Sequence, residues 1–213
     1  MKMEDQVRQI FENEASAIRN IPVNINYSKA VDLIFEHVHK NGGKLITSGM
    51  GKAGQIAHNI STTFSSTGTP SVFLHPSEAQ HGDLGIMQKN DIILAISNSG
   101  KTREIIELTI LKNQLFPNVP IIVITGNPES PLAKTANCCL YTGAPKEVCP
   151  LGLTPTTSTT IFTVIGDALV VLLMKKIGFN ASDYAKRHHG GYLGEKSRKE
   201  SLTGKPGKKD HLK

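Results

Sequence analysis

Residues 91–104, from Asp91 to Glu104, read DIILAISNSGKTRE, and this stretch decides the fold. Ile92, Ile93, Leu94, Ala95 and Ile96 form a short apolar run without Gly or Pro, the pattern of a strand buried on both faces of a parallel sheet. Ser97, Asn98, Ser99, Gly100 and Thr102 cut the run off, and Ile105, Ile106, Leu108, Leu111 and Leu115 then recur at helical spacing. A strand, a hydroxyl-rich turn and a helix start follow one another. Such a turn gathers hydroxyls and the unpaired N–H groups of a helix N-terminus, where the helix dipole adds partial positive charge. It is a place for a phosphate, although Ser and Thr as ordinary caps account for one or two of the hydroxyls.

The alternation continues in both directions. A first helix is expected over Glu4 to Arg19, with Val7, Ile10, Phe11, Ala15 and Ile18 on a stripe that should cover something. A second runs from about Ser28 to the stop at Asn41, Gly42 and Gly43. Strands are expected at Lys44–Ser48, Pro70–His75, Asp91–Ile96, Pro120–Thr125 and Asn137–Thr142, with helices through Phe64, to Phe116 and over Glu129–Thr135. Pro76–Gly85 reads as an irregular loop. Beyond the fifth strand come a loop to Pro155, a helix over Thr156–Lys176, a small helix at Ser182–Lys186 and a turn at 187–191. The later part of the long helix is so apolar that it needs cover from more than one direction, for which a subunit interface is one source. These elements specify one α/β domain over residues 1–194, a three-layer αβα sandwich around a five-stranded parallel sheet, with residues 1–43 as helices packed on it. Residues 195–213 read as a basic flexible tail. The motifs all follow strands, and ligands of such sheets bind outside the strands' carboxyl ends.

Composition narrows the function classes. With 38% hydrophobic and 20% charged residues the chain reads as a soluble globular protein. The apolar run Ala168–Met174 is too short for a bilayer, and the charged N-terminal helix has no apolar core of a signal peptide, so a cytoplasmic protein is expected. Cys138, Cys139 and Cys149 are odd in number and form no C-x-x-C pair, which predicts reduced thiols, the first two as core residues. The net charge of +6 sits largely in residues 195–213, with seven Lys/Arg against three Asp/Glu, and aromatics make up 5% without a Trp. A nucleic-acid partner is therefore not expected. No ligand spacing suits zinc, so metal at His75, His81 or His188 would be adventitious.

Gly49 to Gly54 spells G-x-G-x-x-G after a strand. The acid expected about 20 residues on for a dinucleotide ribose is replaced by Leu74 and His75, which argues against nicotinamide. The glycines then serve a tight turn and close approach to a ligand, with Lys52 at its edge as a cation for a phosphate or an enolate. Ala95 to Thr102 approaches an NTPase phosphate loop but lacks its first Gly and a strand-end Asp for Mg²⁺. His81, Glu104, Glu147, His188 and His189 follow different strands or close the domain. Acids and imidazoles at one sheet edge fit proton transfer, while Glu104 equally suits a first helical turn.

The segments SGMGKAGQIAHNISTTFSSTGTPSVFLHPSEAQHGDLG, AISNSGKTREI, ITGNPESPLA, KEVCPLGLTPTTSTT and HHGGYLG resemble, in order, the arabinose-5-phosphate isomerases. These are sugar isomerase (SIS) domain proteins with a flavodoxin/Rossmann-like fold, in the pathway to the octulosonate (Kdo) sugar of lipopolysaccharide and capsule. The resemblance implies interconversion of ribulose 5-phosphate and arabinose 5-phosphate by a homotetramer that shares active sites and uses no cofactor. It places the phosphate turn on Ser97, Asn98, Ser99 and Thr102, with Ser48 and Gly49 near substrate. Its active-site lysine falls on Lys52, its glutamates on Glu104 and Glu147, and its histidines on His81 and His188. Glu147 or His188 is the base that shuttles the proton, Lys52 meets the developing negative charge and His81 a substrate hydroxyl. The chain departs from the pattern at Lys101, often an acid, and at His189, usually Pro. Many relatives continue into a pair of CBS domains where this sequence stops, so regulation through that module is not expected, and any feedback, such as by a nucleotide-activated octulosonate, is expected to act at the crevice. A related enzyme of another phosphosugar, or a sugar-phosphate sensor without turnover, keeps the same fold.

Overall fold

The computed structural model describes residues 1–202. Its strands are β1 (Leu45–Gly49), β2 (Ser71–Phe73), β3 (Ile92–Ile96), β4 (Ile121–Thr125) and β5 (Cys138–Tyr141). They pair in the order β2-β1-β3-β4-β5, all parallel, with Leu45 beside Ile92, Ile93 beside Ile121 and Ile122 beside Cys138. β1, β3 and β4 are buried at every residue, because helices cover both faces.

Side chains split by the two-residue period of a strand. Ile92, Leu94 and Ile96 pack with α2 (Asn26–Ile34), α3 (Gly51–Ser66) and α7 (Thr157–Ile177). Ile93 and Ala95 pack on the other face with α4 (Pro76–Ala79), α5 (Arg103–Leu115) and α6 (Pro131–Lys134). Each fully buried Ile or Leu here contributes roughly 1.5–3 kcal/mol, so the sheet is a rigid base for the loops at its rim. At the strands' amino ends, buried Asp91 accepts from the Lys44 backbone at 2.9 Å and from Lys44 Nζ at 2.7 Å, tying β1 to β3 away from that rim.

Strand order fixes the site. The connection leaving β1 crosses to β2 and the one leaving β3 crosses to β4, on opposite sides, so a crevice opens between the carboxyl ends of β1 and β3.

Several elements differ from the sequence pattern. α1 (Met3–Arg19) forms, yet contains no buried residue, and Ile10 and Phe11 are 43% and 67% exposed. Only its end packs on the core, through Ala17 and Ile18. The expected second helix changes at Phe35–Lys40 into a π-helical turn, in which Asn41 N donates to Glu36 O at 3.0 Å. The stretch expected as irregular loop contains α4 and a 3₁₀ turn at Asp83–Ile86, because Pro76 opens a helix readily at its first position. Among the described residues α7 alone is long and apolar enough to cross a membrane, and half of that stretch is buried inside the domain. After α7 follow α8 (Ala181–Ala185) and α9 (Gly191–Leu202). α9 carries helix eight residues into the stretch read as a tail from 195, and residues 203–213 of that reading lie outside the described residues. Cys138 is buried and Cys139 half-buried, and the three cysteines are free.

Candidate active site

The turn after β3 is held together by its own hydroxyls. Ser97 Oγ accepts from Gly100 N at 3.1 Å and shares a 2.8 Å hydrogen bond with Thr102 Oγ1, while Ser99 Oγ accepts from Lys101 N at 3.1 Å. No side chain caps α5, so the first N–H groups of that helix remain open to a ligand. Gly100 makes the turn possible. Its φ is +62°, and a Cβ there would stand 1.9 Å from Ser130 Oγ at the cap of α6. Gly100→Ala combines backbone strain of roughly 1–3 kcal/mol with that collision. It is expected to lower the melting temperature and to weaken inorganic-phosphate binding at least about tenfold, measurable by calorimetry.

Gly51, at φ +56°, serves the tight turn expected of it, and Gly49 and Gly54 have a further role in packing. A Cβ on Gly54 would lie 2.5 Å from Gly49 O, and one on Gly49 would lie 2.8 Å from Ala53. They let α3 pack directly on the end of β1. Their effect on a ligand is indirect: they bring the uncapped α3 start, with Lys52, to the rim. Lys52 is exposed and its ammonium makes one long contact, 3.4 Å to Gln55 Oε1.

Glu147 reaches the rim from the loop after β5. Its Oε2 accepts from Thr156 N at 2.7 Å, Thr156 Oγ1 at 3.0 Å and Ser158 N at 3.2 Å, so this carboxylate caps α7 from outside the helix. Burial pushes the Glu147 carboxyl up, but the hydrogen bonds from Ser158 and Thr156 outweigh it and hold the group below its ordinary 4.5. A folded-state value below the unfolded one means stability that is present above the ordinary value and lost as pH falls through the depressed one. The melting-temperature advantage of the native chain over Glu147→Gln is therefore expected to be full near pH 7 and to narrow below pH 4.5. Differential scanning fluorimetry across pH checks this.

Together these parts enclose a cleft of about 350 Å³ lined by Lys52, Ser97, Asn98, Ser99, Thr102 and Glu147. Met50, Ile96, Leu153, Ser158, Thr159 and Phe162 also stand on its wall. The N-termini of α3, α5 and α7 converge on it. The uncapped starts of α3 and α5 and the Lys52 ammonium favour an anion there, while the α7 start already holds the Glu147 carboxylate.

The remaining predicted residues stand elsewhere in the single chain. Ser48 is fully buried and donates to Leu74 O at 2.7 Å, and Gly49 is packed under α3. His81 is exposed on the loop between α4 and the 3₁₀ turn. Glu104 is half-buried in the first turn of α5, outside the cleft lining. His188 lies at the far side of the molecule. α7 starts at the cleft and runs 21 residues, about 30 Å, and the chain continues from there into Phe179 and α8. Arg187 stands over the Phe179 ring, and Phe179 packs beside Gly68, just beyond the far end of α3. The His188 imidazole stacks on Tyr184 at 3.7 Å and its Nδ1 is 3.0 Å from Tyr184 O.

Some contributors were not singled out from sequence: Thr156 and Ser158, which grip Glu147, and Phe162 on the wall. The only signal was the density of Thr and Ser at the α7 start. Among the described residues no three His, Cys, Asp or Glu side chains gather to hold a metal.

The chain is similar to known proteins along most of its length. The arabinose 5-phosphate isomerase KdsD of Yersinia pestis is 48% identical over 192 residues, 90% of this chain and 56% of that protein. The chain thus spans a little over half the length of the curated relatives it matches. A crystal structure of a candidate phosphosugar isomerase involved in capsule formation, from Bacteroides fragilis NCTC 9343, superposes with a TM-score of 0.89 at 64% identity, covering 90% of this chain and all of the other. An Escherichia coli CFT073 protein in complex with arabinose 5-phosphate gives a TM-score of 0.81 at 31% identity, covering 88% and 100%. The SIS domain profile matches residues 38–172, from the π-helical turn before β1 through most of α7. With the rim, the sheet order and these matches in agreement, the chain belongs to the SIS domain family.

Proposed function

We propose that this chain is an aldose–ketose isomerase interconverting D-ribulose 5-phosphate and D-arabinose 5-phosphate, and that the cleft between β1 and β3 is its active site. The observation that supports this reading is the meeting of three helix N-termini with Lys52 and Glu147 around one cleft of about 350 Å³, a volume at the lower end for small-ligand sites. The phosphate sits on the α5 start. Ser97 accepts the Gly100 N–H, and by donating to Thr102 it leaves the Thr102 proton for a phosphate oxygen. The sugar then lies toward α3 and α7.

Isomerisation removes a proton from the carbon beside a carbonyl, holds an enediolate and returns the proton to the neighbouring carbon. Glu147 is the carboxylate within the cleft. With Oε2 committed to α7, proton transfer falls to Oε1. Lys52, free to swing, neutralises the enediolate oxygen, as preorganised charge does wherever negative charge develops. His188, His81 and Glu104 act on the cleft of a neighbouring copy in a homotetramer, a role that agrees with their places outside the cleft of their own chain. The sugar produced feeds octulosonate synthesis for lipopolysaccharide or capsule, in the cytoplasm. The B. fragilis relative and the E. coli relative with its bound sugar phosphate support this substrate class and setting.

The test is a panel of aldose and ketose phosphates assayed without added metal or nucleotide. Turnover of ribulose 5-phosphate to arabinose 5-phosphate is expected. Binding of the panel without turnover of any member would make the chain a sugar-phosphate sensor instead.

A further inference from the structure

Glu14 lies on α1, far in sequence from every motif above, and the chemistry just described does not use it. Its Oε1 accepts from Thr157 Oγ1 at 2.9 Å, and its Oε2 is buried without a hydrogen-bond partner. Burying half a carboxylate in this way is unfavourable, so the contact it does make calls for a reason. Thr157 Oγ1 also accepts from Val148 N at 3.2 Å. The three residues Thr156, Thr157 and Ser158 at the α7 start thus interlock with two loop residues. Thr156 and Ser158 hold the Glu147 side chain, and Thr157 between them holds the Val148 backbone.

A threonine hydroxyl has one proton to give. With Glu14 as its acceptor, Thr157 keeps its lone pairs turned toward the Val148 N–H. Without that acceptor the hydroxyl is free to rotate and donate elsewhere. Packing does not replace the bond, because residues 142–148 back onto an open cleft of about 610 Å³ between them and Asn13 and Ser16 of α1 and Asn20 at its end. Glu147 borders this rear cleft as well as the front one, so slack behind the loop is slack in the carboxylate.

We propose that Glu14 is a positioning residue that acts through Thr157 to hold the Glu147–Val148 segment against the start of α7, and so sets where the Glu147 carboxylate stands. The proposal rests on Glu147 carrying the proton. Glu14→Ala in the full chain is expected to lower kcat by roughly ten- to a hundredfold, the scale of small misplacements of a reacting group, with KM changed by less than about twofold. The acid limb of its kcat profile should move upward, since a loosened loop gives Glu147 weaker hydrogen bonds. Amide exchange at Val148 should quicken, reporting the loss of the bond independently of activity. Glu14→Gln, whose amide oxygen still accepts, should restore most of the rate.

Wild-type kcat in Glu14→Ala, unchanged Val148 exchange, or a Gln variant as slow as the Ala variant would each overturn the proposal. Glu147→Gln assayed beside them separates the two levels. Its failure to lose turnover overturns the role of Glu147 and this proposal with it. Loss in Glu147→Gln with an unaffected Glu14→Ala overturns the proposal alone.

Discussion

Glu147→Gln is expected to lower kcat for ribulose 5-phosphate by roughly two to four orders of magnitude, the usual contribution of a positioned general base, while leaving KM within about threefold. The substitution is close to isosteric. Its amide oxygen can still accept from Thr156 and Ser158, so the α7 cap and the loop that carries it survive. What disappears is the ability to take up and return a proton. The carboxylate is held below its ordinary pKa, so it is ionised throughout the neutral range and available as a base. In the proposed reaction substrate enters beside it and replaces water, which is expected to raise its basicity in the complex. The kcat profile of the native chain should accordingly show an acid limb that Glu147→Gln lacks. Steady-state kinetics across pH on the two proteins checks both statements.

Lys52→Met is expected to lower kcat/KM by roughly a hundred- to a thousandfold, the scale seen when one donor to a developing oxyanion is removed, without a measurable change in melting temperature. The asymmetry follows from the surroundings of the side chain. Lys52 is exposed and its ammonium has only the 3.4 Å contact to Gln55, so folding draws little from it. Among the described residues the cleft, by contrast, has no other lysine or arginine on its lining. The α3 and α5 dipoles hold the ground-state phosphate as well as the transition-state phosphate, and uniform binding of that kind does not accelerate the chemistry. On the proposed mechanism the charge that appears only in the enediolate falls to Lys52. Kinetics and thermal melting on the same preparation measure the two halves of this prediction.

The sheet was legible because its strands are short, apolar and separated by Gly, Pro and hydroxyl residues, and a parallel sheet covered on both faces demands that pattern. The hydroxyl-rich turn was legible for a local reason: Ser97, Ser99, Gly100 and Thr102 make their contacts within six residues of chain. What failed to show depends on tertiary placement. The stripe on α1 predicts a covered face, but the pattern records only that a face is apolar, and in the single chain Ile10 and Phe11 remain exposed. The glycines of the first turn fit ligand approach and helix packing equally well as letters, and only the 2.5 Å approach of a Gly54 Cβ to Gly49 O separates the readings. Glu147 stood out as an acid after a strand, whereas its partners come from nine and eleven residues downstream at a helix start. His188 looked like a companion of Glu147 in the linear order. The length of α7 carries it to the far side of the molecule, away from the cleft of its own chain.

The most direct measurement is conversion of D-ribulose 5-phosphate by the native chain in heavy water, followed by NMR. Proton transfer through an enediolate at the β1/β3 cleft predicts arabinose 5-phosphate that carries solvent deuterium at C2 to the extent that protonated Glu147 exchanges before returning its proton, and loss of both product and label in Glu147→Gln. No arabinose 5-phosphate from the native chain, or its formation at the native rate by Glu147→Gln, would contradict it.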